Sequence, residues 1–257
     1  MTVPEQMDLI IVSGGTRGIG KKIVDESTNI AKQLVVLGRN AETRADTQKN
    51  TRNYPVDIKQ LDQVERIVSS EVKQLRPKNV GIALCAATLG HPGGLIKNEL
   101  EKWADDYKTN VLGNLQVVRS AAQHLDSSAK LRVIFFAGGG AAYGYPEFFS
   151  YSLTKVAIVR AAENLGSELS SVIANSSIIA LAPGAVDTDM LKAVVANGGS
   201  VKTKTDISEP ANFVQKFFLD ELPVKKMNGR FIHVRDDLSK LENKDDPGSL
   251  FALRRIE

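Results

Sequence analysis

One cysteine, Cys85, occurs in 257 residues. A single thiol excludes an intramolecular disulfide framework and fits a reducing compartment. Histidine is also scarce, with only His91, His124 and His233. None shows metal-ligand spacing with Cys85, so no metal site is expected. No apolar run reaches the length of a membrane span. The opening MTVPEQMD has neither a basic n-region nor an apolar h-region, so no signal peptide is read and cytoplasmic residence is the expectation. An excess of one charge is missing too: 33 Lys and Arg against 30 Asp and Glu leave +3. That gives no nucleic-acid footprint. Internal repeats and low-complexity linkers are likewise absent.

What is present is an ordinary globular composition, 42% hydrophobic and 25% charged. The length suits one large α/β domain spanning 1–257. Seven short apolar runs predict strands: Leu9–Ser13, Leu34–Leu37, Tyr54–Ile58, Val80–Ala87, Leu131–Ala137, Ser177–Ala182 and Arg230–Val234. Helical stretches separate them at Ile19–Lys32, Leu61–Leu75, Leu100–Leu125 and Tyr151–Leu169, the last with small packing residues Ala157, Ala161 and Ala162. Continuous apolar strands alternating with helices imply a parallel sheet covered on both faces. Polar Ala196–Ser208 breaks the pattern, either as a mobile insertion over a site or as a solvated loop. Residues 188–208 as a whole are expected to form a substrate lid. The charge-rich tail Asp236–Glu257 shows no readable pattern.

Ser13–Gly20 (SGGTRGIG) joins the first strand to the first helix. Its G-x-x-x-G-x-G spacing differs from the commoner G-x-G-x-x-G. Glycines allow a tight turn and close approach to a pyrophosphate, which the free N–H groups and dipole of the helix start then favour. After the second strand the chain offers Gly38-Arg39-Asn40 and no acid. A free ribose 2′-OH calls for an acid there, a 2′-phosphate for Arg or Lys. Arg39, with Arg17 in the glycine loop, can bind phosphate bidentately. NADP(H) is therefore the preferred cofactor, with NAD(H) the alternative.

Tyr151 and Lys155 lie four apart in a helical stretch and share one face. A nearby ammonium favours phenolate and is expected to lower the Tyr151 pKa. Such a tyrosine can protonate a carbonyl oxygen. Gly14-x-x-x-Gly18-Ile19-Gly20, Asp57, Asn110, Tyr151-x-x-x-Lys155 and Pro183-Gly184 followed by Thr188 together make the chain resemble the short-chain dehydrogenase/reductase family over nearly its whole length. The resemblance implies a Rossmann-type, doubly wound seven-stranded fold, NAD(P)(H), and reversible carbonyl/alcohol oxidoreduction on a small molecule. It implies Tyr151 as acid/base, Lys155 on the nicotinamide ribose, and Asn110 holding a relay water. It places Asp57 at the adenine and Thr188 at the carboxamide, with Thr16, Ile58, Ala87 and Val186 as further cofactor contacts. It also implies a homodimer or homotetramer through Leu100–Leu125 and Tyr151–Leu169.

Two positions depart from that family pattern. The serine expected thirteen residues before the tyrosine is Gly138, inside Gly138-Gly139-Gly140, and no hydroxyl occurs from Leu131 to Ala142. Losing one donor to a substrate oxyanion typically costs about 10²–10³ in rate. Tyr143, Tyr145 or Ser152 are candidate substitutes, Ser152 the weaker because it points off the Tyr151 face. The family's Asn-Asn-Ala-Gly reads Cys85-Ala86-Ala87-Thr88, which removes a structural amide. Cys85 reads as a small hydrophobe rather than a nucleophile. The glycine run and the ending Gly229-Arg230-Phe231-Ile232 resemble a branch of mainly uncharacterised oxidoreductases. Lys202 and Lys204 are candidates for an acidic substrate or for plain solvation, and His91 reads as a loop histidine near the site. His124 is expected at a helix end and His233 as structural. Trp103 and Phe148–Phe149 line a pocket or an interface, or pack the core. Two readings follow: an NADP(H)-dependent carbonyl reductase, or a catalytically weak dinucleotide-binding sensor on the same fold.

Overall fold

The computed structural model describes residues 6–41, 49–201, 203–242 and 251–253. Its centre is a wholly parallel sheet of seven strands. In chain order the elements begin with β1 (Met7–Ser13), α1 (Gly18–Ser27), β2 (Ala31–Gly38), β3 (Thr51–Pro55), α2 (Leu61–Leu75) and β4 (Asn79–Leu84). A long helical run follows: α3 (Leu100–Tyr107), a π turn (Lys108–Leu112) and α4 (Gly113–Ala122). Next come β5 (Lys130–Phe136), the short α5 (Gly139–Ala142), α6 (Phe149–Val172), β6 (Asn175–Ala182), β7 (Ala185–Val186) and α7 (Asp189–Ala196). The chain continues with β8 (Lys204–Thr205), α8 (Ser208–Phe218), α9 (Val224–Met227) and β9 (Phe231–His233). The sheet order is β3-β2-β1-β4-β5-β6-β9, and β7 pairs β8 in a separate ladder. This is the single-domain Rossmann fold that the sequence led us to expect.

The inner strands are continuously apolar because both faces are buried. In β1, Leu9 and Ile11 enter one core while Ile10 and Val12 enter the other; in β2, Val35 and Leu37 separate from Leu34 and Val36 in the same way. One core is closed by α2, α4 and α6, the other by α1, α8 and α9. Strand order reverses between β1 and β4, and such a switch point opens a crevice at the strands' C-terminal ends.

Several boundaries move. The third strand is Thr51–Pro55, not Tyr54–Ile58. It is a polar edge strand, so the apolar signal came from Val56 and Ile58, which are buried in the loop beyond it. The fourth strand stops at Leu84, and Cys85–Ala87 leave the sheet. The first helix ends at Ser27, because Ala31 and Lys32 already belong to β2. Helix α8 has no counterpart in the sequence reading, although Phe213, Val214, Phe217 and Phe218 are core residues. Its Pro210 sits in the first turn, where a missing N–H is tolerated.

Candidate active site

The crevice is an open cleft of about 1540 Å³. Most of the expected cofactor and substrate residues line it: Gly14, Thr16, Arg17, Gly18, Ile19, Gly20, Arg39, Asp57, Ile58, Ala87, Gly138, Tyr143, Tyr145, Tyr151, Lys155, Pro183, Gly184, Val186 and Thr188. Asn110, Ser152 and Lys204 are not among its lining residues.

The glycine turn forms one end. Gly14 adopts φ +68°, and a Cβ there would fall 2.7 Å from the Ala86 backbone nitrogen, so the turn lies directly on the exit of β4. Helix α1 starts at Gly18 with no side-chain cap and no acid in its first turn. Its leading N–H groups and positive dipole end therefore suit an anion, and a pyrophosphate fits them. Arg17 is exposed and lies 3.8 Å from Asp189 across the cleft. Exposed Arg39 and Asn40 continue this edge at the end of β2. Asp57 turns its Oδ1 to accept the Lys59 N–H at 3.0 Å, which shapes the loop after β3.

Asn110 sits in the π turn, a deviation often found at functional sites. It is fully buried. Its Oδ1 accepts from Thr88 N at 2.8 Å, and its Nδ2 donates to Thr88 O and Thr154 Oγ1 at 3.0 Å each. The carboxamide thus pins the Thr88 backbone and ties it to α6. One turn on, Asn114 donates to Ala86 O (2.9 Å) and Asn110 O (3.0 Å) and accepts from Ser13 Oγ at 2.8 Å. Ser13 Oγ in turn accepts from Ala86 N at 3.2 Å. Asn114 thus ties the Cys85–Thr88 segment and β1 to α4.

Tyr151 lies in the first turn of α6, and Lys155, one turn on, is buried. Lys155 Nζ donates to Phe136 O at 2.7 Å and sits 5.2 Å from the Tyr151 ring centroid. Burial lowers the Lys155 pKa to about 8. Burial pushes the Tyr151 phenol up, and neighbouring Tyr145 adds to the effect. The expected lowering is therefore reversed in this state: desolvation outweighs an ammonium that is bonded to a carbonyl rather than to the phenol. Tyr151 O–H points at Met190 Sδ, 4.0 Å away on α7. Gly138 has φ +152°, and a Cβ built there would lie 3.7 Å from the Tyr151 hydroxyl oxygen. The position that would carry a serine does face the phenol.

Among the substitute hydroxyls, Ser152 Oγ donates to Phe149 O on its own helix and Tyr143 is 80% exposed. Tyr145 tilts its ring on buried Phe148 and brings its hydroxyl against the backbone at Gly199. Thr188 caps α7, accepting from Leu191 N at 3.4 Å. Lys204 is exposed and 3.8 Å from Asp187; Lys202 lies outside the described residues. Half-buried Trp103 stacks on half-buried Phe149 at 5.1 Å and Phe148 is fully buried; none of the three lines the cleft. His124 follows the end of α4, and His233 accepts from Arg235 N in the turn after β9. Burial pushes the Cys85 thiol up, which favours its protonated form. Sequence reasoning missed Asn114, Met190, Asp106 and Ser150. A polar side chain four residues after Asn110 was the available signal for Asn114; the others depend on tertiary packing. Among the described residues no helix is long and apolar enough to cross a membrane, and no group of three His, Cys, Asp or Glu is placed to hold a metal.

A family model described as short chain dehydrogenase matches residues 8–198. The chain belongs to the short chain dehydrogenase family and is an oxidoreductase of that class. It is 28% identical over 204 residues to a putative ketoacyl reductase of Streptomyces coelicolor, covering 74% of this chain and 75% of that one. Two solved structures share the fold. An NAD+-bound xylitol dehydrogenase has TM-score 0.77 and 18% identity, over 90% of this chain and 98% of its own. An NADPH-bound tyrosine-to-phenylalanine variant of ElxO has TM-score 0.73 and 19% identity, over 93% and 100%.

Proposed function

We propose that the protein is an NADP(H)-dependent carbonyl reductase/alcohol dehydrogenase, of a branch in which glycine takes the place of the catalytic serine. The observation that carries this reading is one cleft in which an uncapped glycine turn faces Tyr151, Lys155 and the open position at Gly138. Gly14, Gly18, Gly20 and the start of α1 would hold the pyrophosphate. Arg39 and Arg17 would hold the 2′-phosphate, Asp57 and Ile58 the adenine side, and Ala87, Pro183, Gly184, Val186 and Thr188 the nicotinamide side. When bound, the reduced nicotinamide supplies two electrons as hydride to a carbonyl carbon.

The chain's own residues handle the proton. Tyr151 O–H protonates the carbonyl oxygen, and a phenol held neutral by burial keeps that proton available. Lys155, anchored on Phe136 O, has further N–H bonds to turn toward the cofactor ribose and the phenol. Asn110 is a positioning residue that acts through Thr88. Tyr145 supplies the second hydroxyl that Gly138 lacks. Residues 188–208 serve as a lid: β7 and β8 close its base, and Met190 covers Tyr151. Exposed Leu100, Tyr107, Leu112, Leu153 and Val156 on the α3–α4 run and α6 suit a homodimer or homotetramer. The test is oxidation of NADPH and of NADH, followed by absorbance, with a panel of small ketones and aldehydes. Faster turnover with NADPH supports the proposal; no turnover with any carbonyl favours the binding-only alternative.

A further inference from the structure

Asp106, at the end of α3, is a carboxylate buried to 4% of its side-chain surface. Burying a carboxylate is costly unless it is paired and hydrogen-bonded. Its Oδ2 accepts Ser150 O–H at 2.7 Å and lies 3.6 Å from His91 Nδ1. Gly90 packs on the same group, where a Cβ would fall 2.2 Å from Oδ2. The loop carrying His91 is therefore seated on Asp106. It is further fixed by Gly90 N donating to Thr88 Oγ1 at 3.0 Å and Gly93 N to Glu147 O at 2.6 Å. Ser150 directly precedes Tyr151 on α6, so one carboxylate ties this loop to the catalytic helix.

The His91 ring is 45% exposed and lines the cleft. Nδ1 is the ring nitrogen that lies near Asp106, so the imidazole bridges that buried carboxylate and the cleft. The cleft that His91 lines also has apolar wall residues, among them Leu89, Ala142, Met190 and Val194. In a pocket of that kind a few convergent polar groups fix a ligand's orientation. We infer that His91 is a substrate-recognition residue, which hydrogen-bonds a second oxygen function, hydroxyl or carboxylate, on the carbonyl substrate. Asp106 and Ser150 are its positioning residues. This rests on the carbonyl-reductase reading of the same cleft.

The test compares acetone, hydroxyacetone and pyruvate with the full-length protein and NADPH. Wild type is expected to prefer hydroxyacetone or pyruvate over acetone in kcat/KM; the preferred one identifies the oxygen group. His91→Phe is expected to cut that preference about 10- to 100-fold, the worth of one hydrogen bond to a polar or charged group. Asp106→Asn should cut it in the same direction through KM rather than kcat. Turnover of all three ketones with an unchanged preference in His91→Phe would overturn the inference. No turnover of any ketone by wild type would instead count against the reductase reading. In that case 15N-histidine NMR of the NADP+-loaded protein decides: a shift of the His91 signals on adding hydroxyacetone or pyruvate upholds the inference, and no shift refutes it.

Discussion

Replacing Tyr145 by Phe removes one hydroxyl and keeps the ring that tilts on Phe148 at 4.7 Å. If that hydroxyl stands in for the missing serine, kcat should fall by about 10²–10³, or roughly 2.7–4 kcal/mol of transition-state stabilisation. The structure also says how to restore it. A Cβ at Gly138 would sit 3.7 Å from the Tyr151 hydroxyl oxygen, so a serine there puts its own hydroxyl beside the same reacting oxygen. The backbone resists this: φ +152° is unfavourable for any side chain and should cost about 1–3 kcal/mol. At this chain length each kcal/mol lowers Tm by roughly 2–4 °C. Tyr145→Phe/Gly138→Ser should therefore melt several degrees below Tyr145→Phe yet recover most of its kcat. Steady-state turnover with NADPH and a small ketone, alongside thermal melts of both proteins, is the assay. Full activity in Tyr145→Phe, or a folded double variant no faster than the single one, would refute the reasoning.

Three further outcomes are expected. Lys155 titrates near 8 when folded against 10.5 when exposed, so its burial penalty is present in full below pH 8 and fades as pH rises. Stability should climb between pH 8 and 10, by at most on the order of 3 kcal/mol, and Lys155→Met should flatten the climb in urea melts. Tyr151, raised by burial, removes stability only from about pH 10 upward, whereas the Cys85 thiol, also raised by burial, opposes the climb from about pH 9, so the difference between wild type and Lys155→Met isolates the lysine. Asn114→Ala leaves Ser13 Oγ and the Ala86 and Asn110 carbonyls without their amide; a loss of about 1–3 kcal/mol should appear as a lower Tm. Arg39→Asp should weaken NADPH binding about 10- to 100-fold while changing NADH far less, measured by titration; equal losses would remove Arg39 from the 2′-phosphate.

Much of the fold was legible because a parallel sheet buries both faces. Its inner strands then read as apolar runs, and the helix Leu61–Leu75 was found to the residue. The glycine turn and the Tyr151–Lys155 spacing were legible because each needs particular residues at fixed local offsets. What stayed hidden depends on distant partners. Thr51–Pro55 is a polar edge strand held by register with β2, so pattern alone shifted it toward Val56 and Ile58. The Asn114–Ser13 bond spans 101 residues, and Asp106 meets Ser150 across 44. The pKa of Tyr151 also went the other way, because spacing reveals a neighbouring ammonium but not the depth of the phenol nor the carbonyl that holds the lysine.

The central claim is that this cleft reduces a carbonyl with Tyr151 as its proton donor. Tyr151→Phe, which removes only the hydroxyl, tests it by turnover and by NADPH titration on the same sample. The account predicts unchanged NADPH affinity with turnover lost. Turnover that survives in a variant still binding NADPH would contradict it.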